Sequence, residues 1–185
     1  TTVLRFRHLL EEHQLTEAMF VAVRGLLAER RLLLQAGTIV DATIIAAPSS
    51  TKNAQHARDP EMKQTKKGNA WYFGMKVHVG TDTHGIVHSL TTTDAAQADV
   101  YQLPQLLHGE EQVLYGDKAY WSEDVREMCA ATGVRCRVNR RAAAGKPLSA
   151  HGEAVNRSRS RVRSRGEHGF LVVKRLWDFA KLRYR

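Results

Sequence analysis

Cysteine is scarce: Cys129 and Cys136 are the only two in 185 residues. Two cysteines cannot build a four-thiolate zinc site or a disulfide-stapled small domain. They read as small core residues in a reducing, cytoplasmic setting. Long apolar runs are also missing. No window approaches the ~18 apolar residues of a membrane span, so no membrane segment is expected. The chain opens Thr1-Thr2-Val3, without a basic-then-apolar leader, so no signal peptide is expected. The missing initiator Met suggests a fragment of a longer protein. Acid is short in one place only. Residues 135–185 hold 15 Lys and Arg against 3 acids, whereas residues 1–134 carry a net charge of −3.

The composition is otherwise that of a soluble globular protein, 43% hydrophobic and 25% charged, with a net charge of +9. The length suits one domain, or one domain with a small appendage, and can bury about 70% of the unfolded surface. A basic block on a mildly acidic body points to a polyanionic partner, most often nucleic acid. Solubility charge on a flexible tail is the other reading.

Apolar residues of the stretch 3–34 recur at three- and four-residue spacing, which predicts helix. A break falls near residues 14–16, with Thr16 as cap of a second helix and Gly37 ending the helical region. From Gly37 the pattern changes. Residues 38–45 are β-branched and apolar on both sides, as in a buried central strand. Residues 48–68 are polar, contain Pro48 and Pro60, and read as a long loop. Residues 70–81 and 86–93 form a hairpin about the turn 82–85. A short helix over 97–108, a strand over 112–115, a helix capped by Ser122 and ended by Gly133, and a strand over 134–138 follow. Residues 140–160 have no period and read as loop, and 161–177 as helix. The expected fold is α/β: a mixed five-stranded sheet flanked by helices, with a helical lead-in over 1–36 and the main domain over 37–185.

Three carboxylates stand out. Asp41 lies inside a buried apolar strand, which is costly unless the charge is satisfied. Asp117 directly follows the strand ending in Tyr115-Gly116. If the two strands are neighbours, both side chains lie at strand C-terminal ends, where open α/β sheets place their sites. Glu167 is one of the few acids in the basic block. Each also has a plain structural reading: a backbone-bonded strand-end Asp, a Gly-Asp turn, a surface Glu in local ion pairs. Carboxylates at close range repel unless a cation lies between them, and oxygen-only donors favour Mg²⁺ or Mn²⁺ over zinc. His78 and His88 read as structural, a direct role for His168 as the weaker alternative, and Trp71 and Trp177 as core.

At these residues the chain resembles bacterial insertion-sequence transposases with an Asp-Asp-Glu triad, of the insertion sequence five type. Residues 37–45 resemble the first-aspartate strand, and Lys66-Lys67-Gly68-Asn69 with Trp71 to Lys76 and His78 the second strand. Tyr115-Gly116-Asp117-Lys118-Ala119-Tyr120 resembles the second-aspartate motif, and Arg163 to His168 the Glu-bearing helix. A late motif of Tyr, Arg, Glu and Lys matches at Arg163, Glu167 and Lys174, with Ser160 in the Tyr position. Gly166 and Gly169 flank Glu167, each costing about 1 kcal/mol of helix stability relative to Ala. The resemblance covers about residues 1–185, and the order and spacing of its motifs argue against another ribonuclease-H-like nuclease such as a resolvase.

The resemblance implies a ribonuclease-H-like catalytic core, truncated at both ends, with Asp41, Asp117 and Glu167 as a metal-binding triad. It implies two Mg²⁺ ions, with Mn²⁺ as substitute, about 3.5–4 Å apart, serving both ends of a phosphodiester displacement. The partner is double-stranded DNA, as transposon ends and target, bound by a homo-oligomer in the bacterial cytoplasm at the nucleoid. Arg163 and Lys174 are expected at the scissile-strand phosphate. Arg157, Arg159, Arg161, Arg165, Lys66 and Lys67 are expected on the backbone elsewhere. The alternative is a truncated, inactive remnant that only binds DNA.

Overall fold

The computed structural model describes residues 2–34, 36–52 and 56–182. The chain divides into two units at residues 34 and 35. The first holds helices α1 (Thr2–Glu12) and α2 (Leu15–Glu29). The break falls where expected, but its cause differs. Gln14 turns the chain in the left-handed region at φ 51°, and Thr16 lies inside α2 instead of capping it. Helix α2 ends well before Gly37, which opens the first strand. Neither helix buries a described residue.

The second unit is built on one mixed sheet of six strands flanked by helices. The strands are β1 (Gly37–Ala46), β2 (Lys63–Lys67), β3 (Ala70–Asp82), β4 (Val87–Asp94), β5 (Val113–Gly116) and β6 (Arg135–Val138). Their order is β2-β3-β1-β5-β6, with β4 also on β3. Strand β2 corrects the expected count of five. Its sequence, Lys-Gln-Thr-Lys-Lys, has no apolar alternation, and it pairs because the long β3 presents an edge to it, from Lys63↔Gly74 to Lys67↔Ala70. Gly74 is required there: its φ is 155°, and a Cβ would collide with the Ile45 carbonyl oxygen.

Strand β1 is central because Thr38, Ile39 and Val40 are all fully buried. It runs antiparallel to β3 from Thr38↔Asp82 to Ala46↔Gly74, and parallel to β5 only from Gly37↔Val113 to Val40↔Gly116. Val40, Leu114 and Val138, from three adjacent parallel strands, form the core of one face. Leu103 and Leu106 of α3 (Leu103–Leu106), Tyr120, and Val125 and Cys129 of α4 (Glu123–Ala131) cover them. Each such side chain contributes about 1.5–3 kcal/mol when fully buried. Ser122 does cap α4, accepting from the Val125 N–H at 3.2 Å.

A polar cluster is buried at the start of β1. Thr38 donates to Glu111 at 3.1 Å and lies 3.2 Å from His88 Nε2. The His88 and His108 rings meet edge to face at 5.0 Å. Burial, with His108 beside it, pushes the His88 imidazole down to about 4.

The second half of the region expected as loop, residues 140–160, is helix. Helix α5 spans Ala150–Arg163, capped by Ser149, whose hydroxyl accepts from the Gly152 N–H at 3.1 Å. Glu153 in its first turn and Arg161 and Arg163 in its last match the helix dipole. The path continues through a 3₁₀ turn (Ser164–Gly166), α6 (Glu167–Leu171) and a π-helical turn (Val172–Leu176). Trp177, expected in the core, is 71% exposed, and Trp71 is 66% exposed.

Candidate active site

Strand β1 outlasts its parallel neighbour, and this creates the site. The β1–β5 pairing ends at Val40↔Gly116, so Asp41 and Asp117 are the next residues of the two adjacent strands. From Asp41 to Ile45 no described strand pairs with the β5 side of β1, and a cavity of about 590 Å³ lies there. Asp41, Asp117 and Glu167 all line it, with Arg163, Lys66 and Lys67.

Each acid is held differently. Asp41 Oδ1 accepts from the Ala42 N–H at 2.9 Å, and Oδ2 from Arg163 Nη1 at 2.9 Å. Burial pushes the Asp41 carboxyl up to about 6. The charges of Asp117 and Glu167 add to that rise, while Arg163 and the Ala42 N–H oppose it. Asp117 caps the 3₁₀ turn Lys118–Tyr120, accepting from the Ala119 N–H at 2.7 Å. Its turn-forming role is therefore real, and it faces the cavity as well. Glu167 accepts from Arg163 Nη2 at 2.6 Å. One guanidinium thus bridges two of the three carboxylates.

Gly166 explains how Glu167 reaches the sheet. It is buried, and a Cβ there would lie 2.9 Å from Ile39 Cγ2 and 3.3 Å from Thr81 Oγ1. The missing side chain lets the 3₁₀ turn approach β1 and β3 closely. What Gly166 costs in helix propensity is offset by this contact with the sheet.

The other basic residues divide. Lys174 donates to the Ile44 carbonyl at 2.7 Å, on the open edge of β1, and burial together with the Lys67 charge lowers its pKa. Arg159 donates to the Val138 carbonyl at 2.6 Å, and Arg165 to the Thr83 carbonyl at 3.0 Å. Arg157 and Arg161 are exposed. These four Arg residues of the basic block do not line the cavity. Ser160 accepts from Asn139 Nδ2 at 2.9 Å, tying α5 to the end of β6. His78 and His88 are buried, and His168 is exposed.

Two further cavity residues, Lys76 and Asp99, escaped the sequence reading. Lys76 Nζ donates to Asp99 Oδ1 at 2.9 Å and to the Gln97 carbonyl at 2.6 Å. The available signal was the one that marked Asp41, a charged side chain inside an apolar strand.

The donor chemistry suits a hard divalent cation. The facing groups are carboxylate oxygens, and the Asp41 charge is disfavoured by burial and by its acidic neighbours. The Tyr120 hydroxyl is buried without a hydrogen-bond partner, in the field of Asp99, Asp41 and Asp117. Among the described residues no three His, Cys, Asp or Glu stand together at the range of a common ion. Arg163 occupies the space between Asp41 and Glu167 instead.

A mixed sheet with aspartates just past the last parallel pair of two adjacent strands, and a Glu-bearing helical segment packed against it, is consistent with the ribonuclease-H-like arrangement. A family model described as the transposase DDE domain matches residues 33–185. The chain belongs to that family, whose domains act on DNA and generally use divalent metal ions. Among the described residues no helix is long and apolar enough to cross a membrane.

Proposed function

We propose that this chain cleaves and joins DNA at the ends of a mobile element of the insertion sequence five type, with Asp41, Asp117 and Glu167 as its triad. The observation that carries the reading is the register: the aspartates follow the last β1–β5 pair, Val40↔Gly116, and share a cavity with Glu167. Asp41 feels the charges of both other acids, and the three carboxylates lining the cavity would together hold the ions. Bound there, a pair of Mg²⁺ or Mn²⁺ ions supplies Lewis-acid polarisation of the phosphodiester and activation of the attacking oxygen.

The chain's own residues do the rest. Asp117, fixed by its cap bond, presents its carboxylate without rearrangement. Arg163 holds Asp41 and Glu167 at the cavity and would contact the scissile phosphate beside them. Lys66 and Lys67 attract the DNA backbone at the mouth. The same groups serve hydrolysis at the element end and attack of the freed 3′-hydroxyl on target DNA. Pairing two ends requires a multimer, working at the bacterial nucleoid.

Incubation with supercoiled element-end DNA and Mg²⁺ tests this. Wild type is expected to nick and join. Asp41→Asn, Asp117→Asn and Glu167→Gln are each expected to lose on the order of 10²–10³-fold or more, the scale for removing a group that stabilises transition-state charge. A second reading, a DNA-binding remnant without activity, is favoured by the Arg163 bridge. It predicts equal binding by all four proteins and cleavage by none.

A further inference from the structure

The hairpin of β2 and β3 carries two aromatic residues for which the fold has no use. Past Gly74 it is a narrow ribbon, turned at Gly68-Asn69, in which every residue from Lys66 to Tyr72 is exposed. Trp71 is 66% exposed and Tyr72 is 37% exposed, whereas the next residue, Phe73, is buried. Tryptophan is usually well buried, and a two-stranded ribbon gains little from an indole facing water.

The neighbours of Trp71 define its partner. Lys66 is its cross-strand pair, so the ammonium stem and the indole share one face of the ribbon. Lys66 and Lys67 also line the cavity that holds Asp41 and Glu167. Lys63 is engaged with Asp94 at 3.2 Å, but Lys66 and Lys67 form no ion pair among the described residues. A polyanion in the cavity therefore continues across Lys66 and arrives at Trp71. Lysines interleaved with exposed aromatics are the make-up of single-strand platforms, where each base stacks on a side chain. Within a duplex the base faces are covered, so an indole can stack only on a base that has left its pair.

We propose that the β2–β3 hairpin binds an unpaired nucleotide of the DNA strand leaving the catalytic cavity, with Trp71 stacking on the base and Lys66 on the adjoining phosphate. This rests on the DNA-cleaving reading above and adds a site separate from its triad. The hairpin would favour strand ends and frayed junctions over intact duplex.

The test is binding in EDTA, where cleavage does not intervene. The probes are one short duplex, blunt or carrying a single-stranded thymidine extension. Wild type is expected to prefer the extended duplex. Trp71→Ala is expected to lose that preference by about 5-fold or more, since one base–aromatic stack contributes about 1–3 kcal/mol. Its affinity for blunt duplex stays unchanged, and Trp71→Phe keeps most of the preference. Lys66→Gln weakens both complexes alike and lowers the salt dependence. A 2-aminopurine at the first unpaired position is expected to be quenched by wild type and not by Trp71→Ala. If Trp71→Ala has the wild-type ratio of extended to blunt affinity, the proposal is overturned. Binding with this preference but without cleavage in Mg²⁺ sinks the catalytic reading and leaves the hairpin site standing. Failure to bind either probe overturns both.

Discussion

His88 carries a pH dependence that can be worked out by sign. Its folded-state pKa lies near 4, below the ordinary value of 6.5, because burial and His108 disfavour the imidazolium. The unfolded chain therefore binds more protons between those values. Stability is fully present above pH ~6.5 and lost as pH falls toward ~4, by roughly 3 kcal/mol if this group alone contributes. Urea unfolding across this range should show the decline, and His88→Gln should flatten it. Lys76 and Asp99, both largely buried, form the second residue-level case. Lys76→Met is expected to cost about 1–3 kcal/mol by leaving Asp99 unpaired. Adding Asp99→Asn should recover part of that loss in a double-mutant cycle, read by thermal melts. At this scale the sequence spoke wherever a residue was out of place. Asp41 in an apolar strand and Glu167 in a basic block were legible for that reason. Lys76 gave the same signal but was passed over as one letter of a motif. Trp71 and Trp177 were misjudged because hydrophobicity says where a side chain gains from burial, not whether neighbours exist to bury it.

Elements with their own pattern were legible, and those defined by a partner were not. Strand β1 and the Ser122-capped α4 announce themselves in β-branched runs and a cap. Strand β2 exists only because β3 extends past its other neighbours, a fact no local window contains. Helix α5 hides under Ser, Gly and Arg, and its cap, Ser149, is one more serine in that run. The two glycines beside Glu167 separate propensity from packing. At Gly169 a Cβ would meet Val87 Cγ2 at 3.5 Å, an ordinary contact. Gly169→Ala should therefore stabilise by up to ~1 kcal/mol. At Gly166 a Cβ would press on Ile39 of β1 at 2.9 Å. Gly166→Ala should destabilise by about 1–3 kcal/mol and shift Glu167 from the cavity, lowering cleavage more than DNA binding. Melting curves alongside nicking assays separate the two effects.

At the scale of the molecule, the charge imbalance looks different once the contacts are known. Of the basic block, Arg163, Lys174, Arg159 and Arg165 already bond to protein groups. Lys66, Lys67, Arg157 and Arg161 are exposed, the first two outside the block and Arg157 in a surface ion pair with Glu153 at 3.7 Å. If these four carry the backbone contacts, log K against log salt should fall with a slope of about −4, far shallower than fifteen charges would give. Titration of a labelled duplex at several salt concentrations checks this. A slope much steeper than −4 would mean that further basic residues, such as the exposed Arg135, Arg137, Arg140 and Arg141 or the bonded four, join the contact. The location of the imbalance was legible; how much of it is free for a ligand was not, because that depends on which carbonyls the fold leaves at strand ends.

The open edge of β1 has a consequence for how the protein is made. Ala46 pairs with the segment around Lys181, through its N–H to Ala180 and its carbonyl from Leu182, and Lys174 covers Ile44. Asp41 and Asp117 leave the ribosome well before these sealing residues. A translation product stopped before Lys174 holds both aspartates on a bare strand edge, the surface at which sheets recruit other chains. Premature termination should therefore leave insoluble protein, in place of a soluble half-enzyme that still grips DNA.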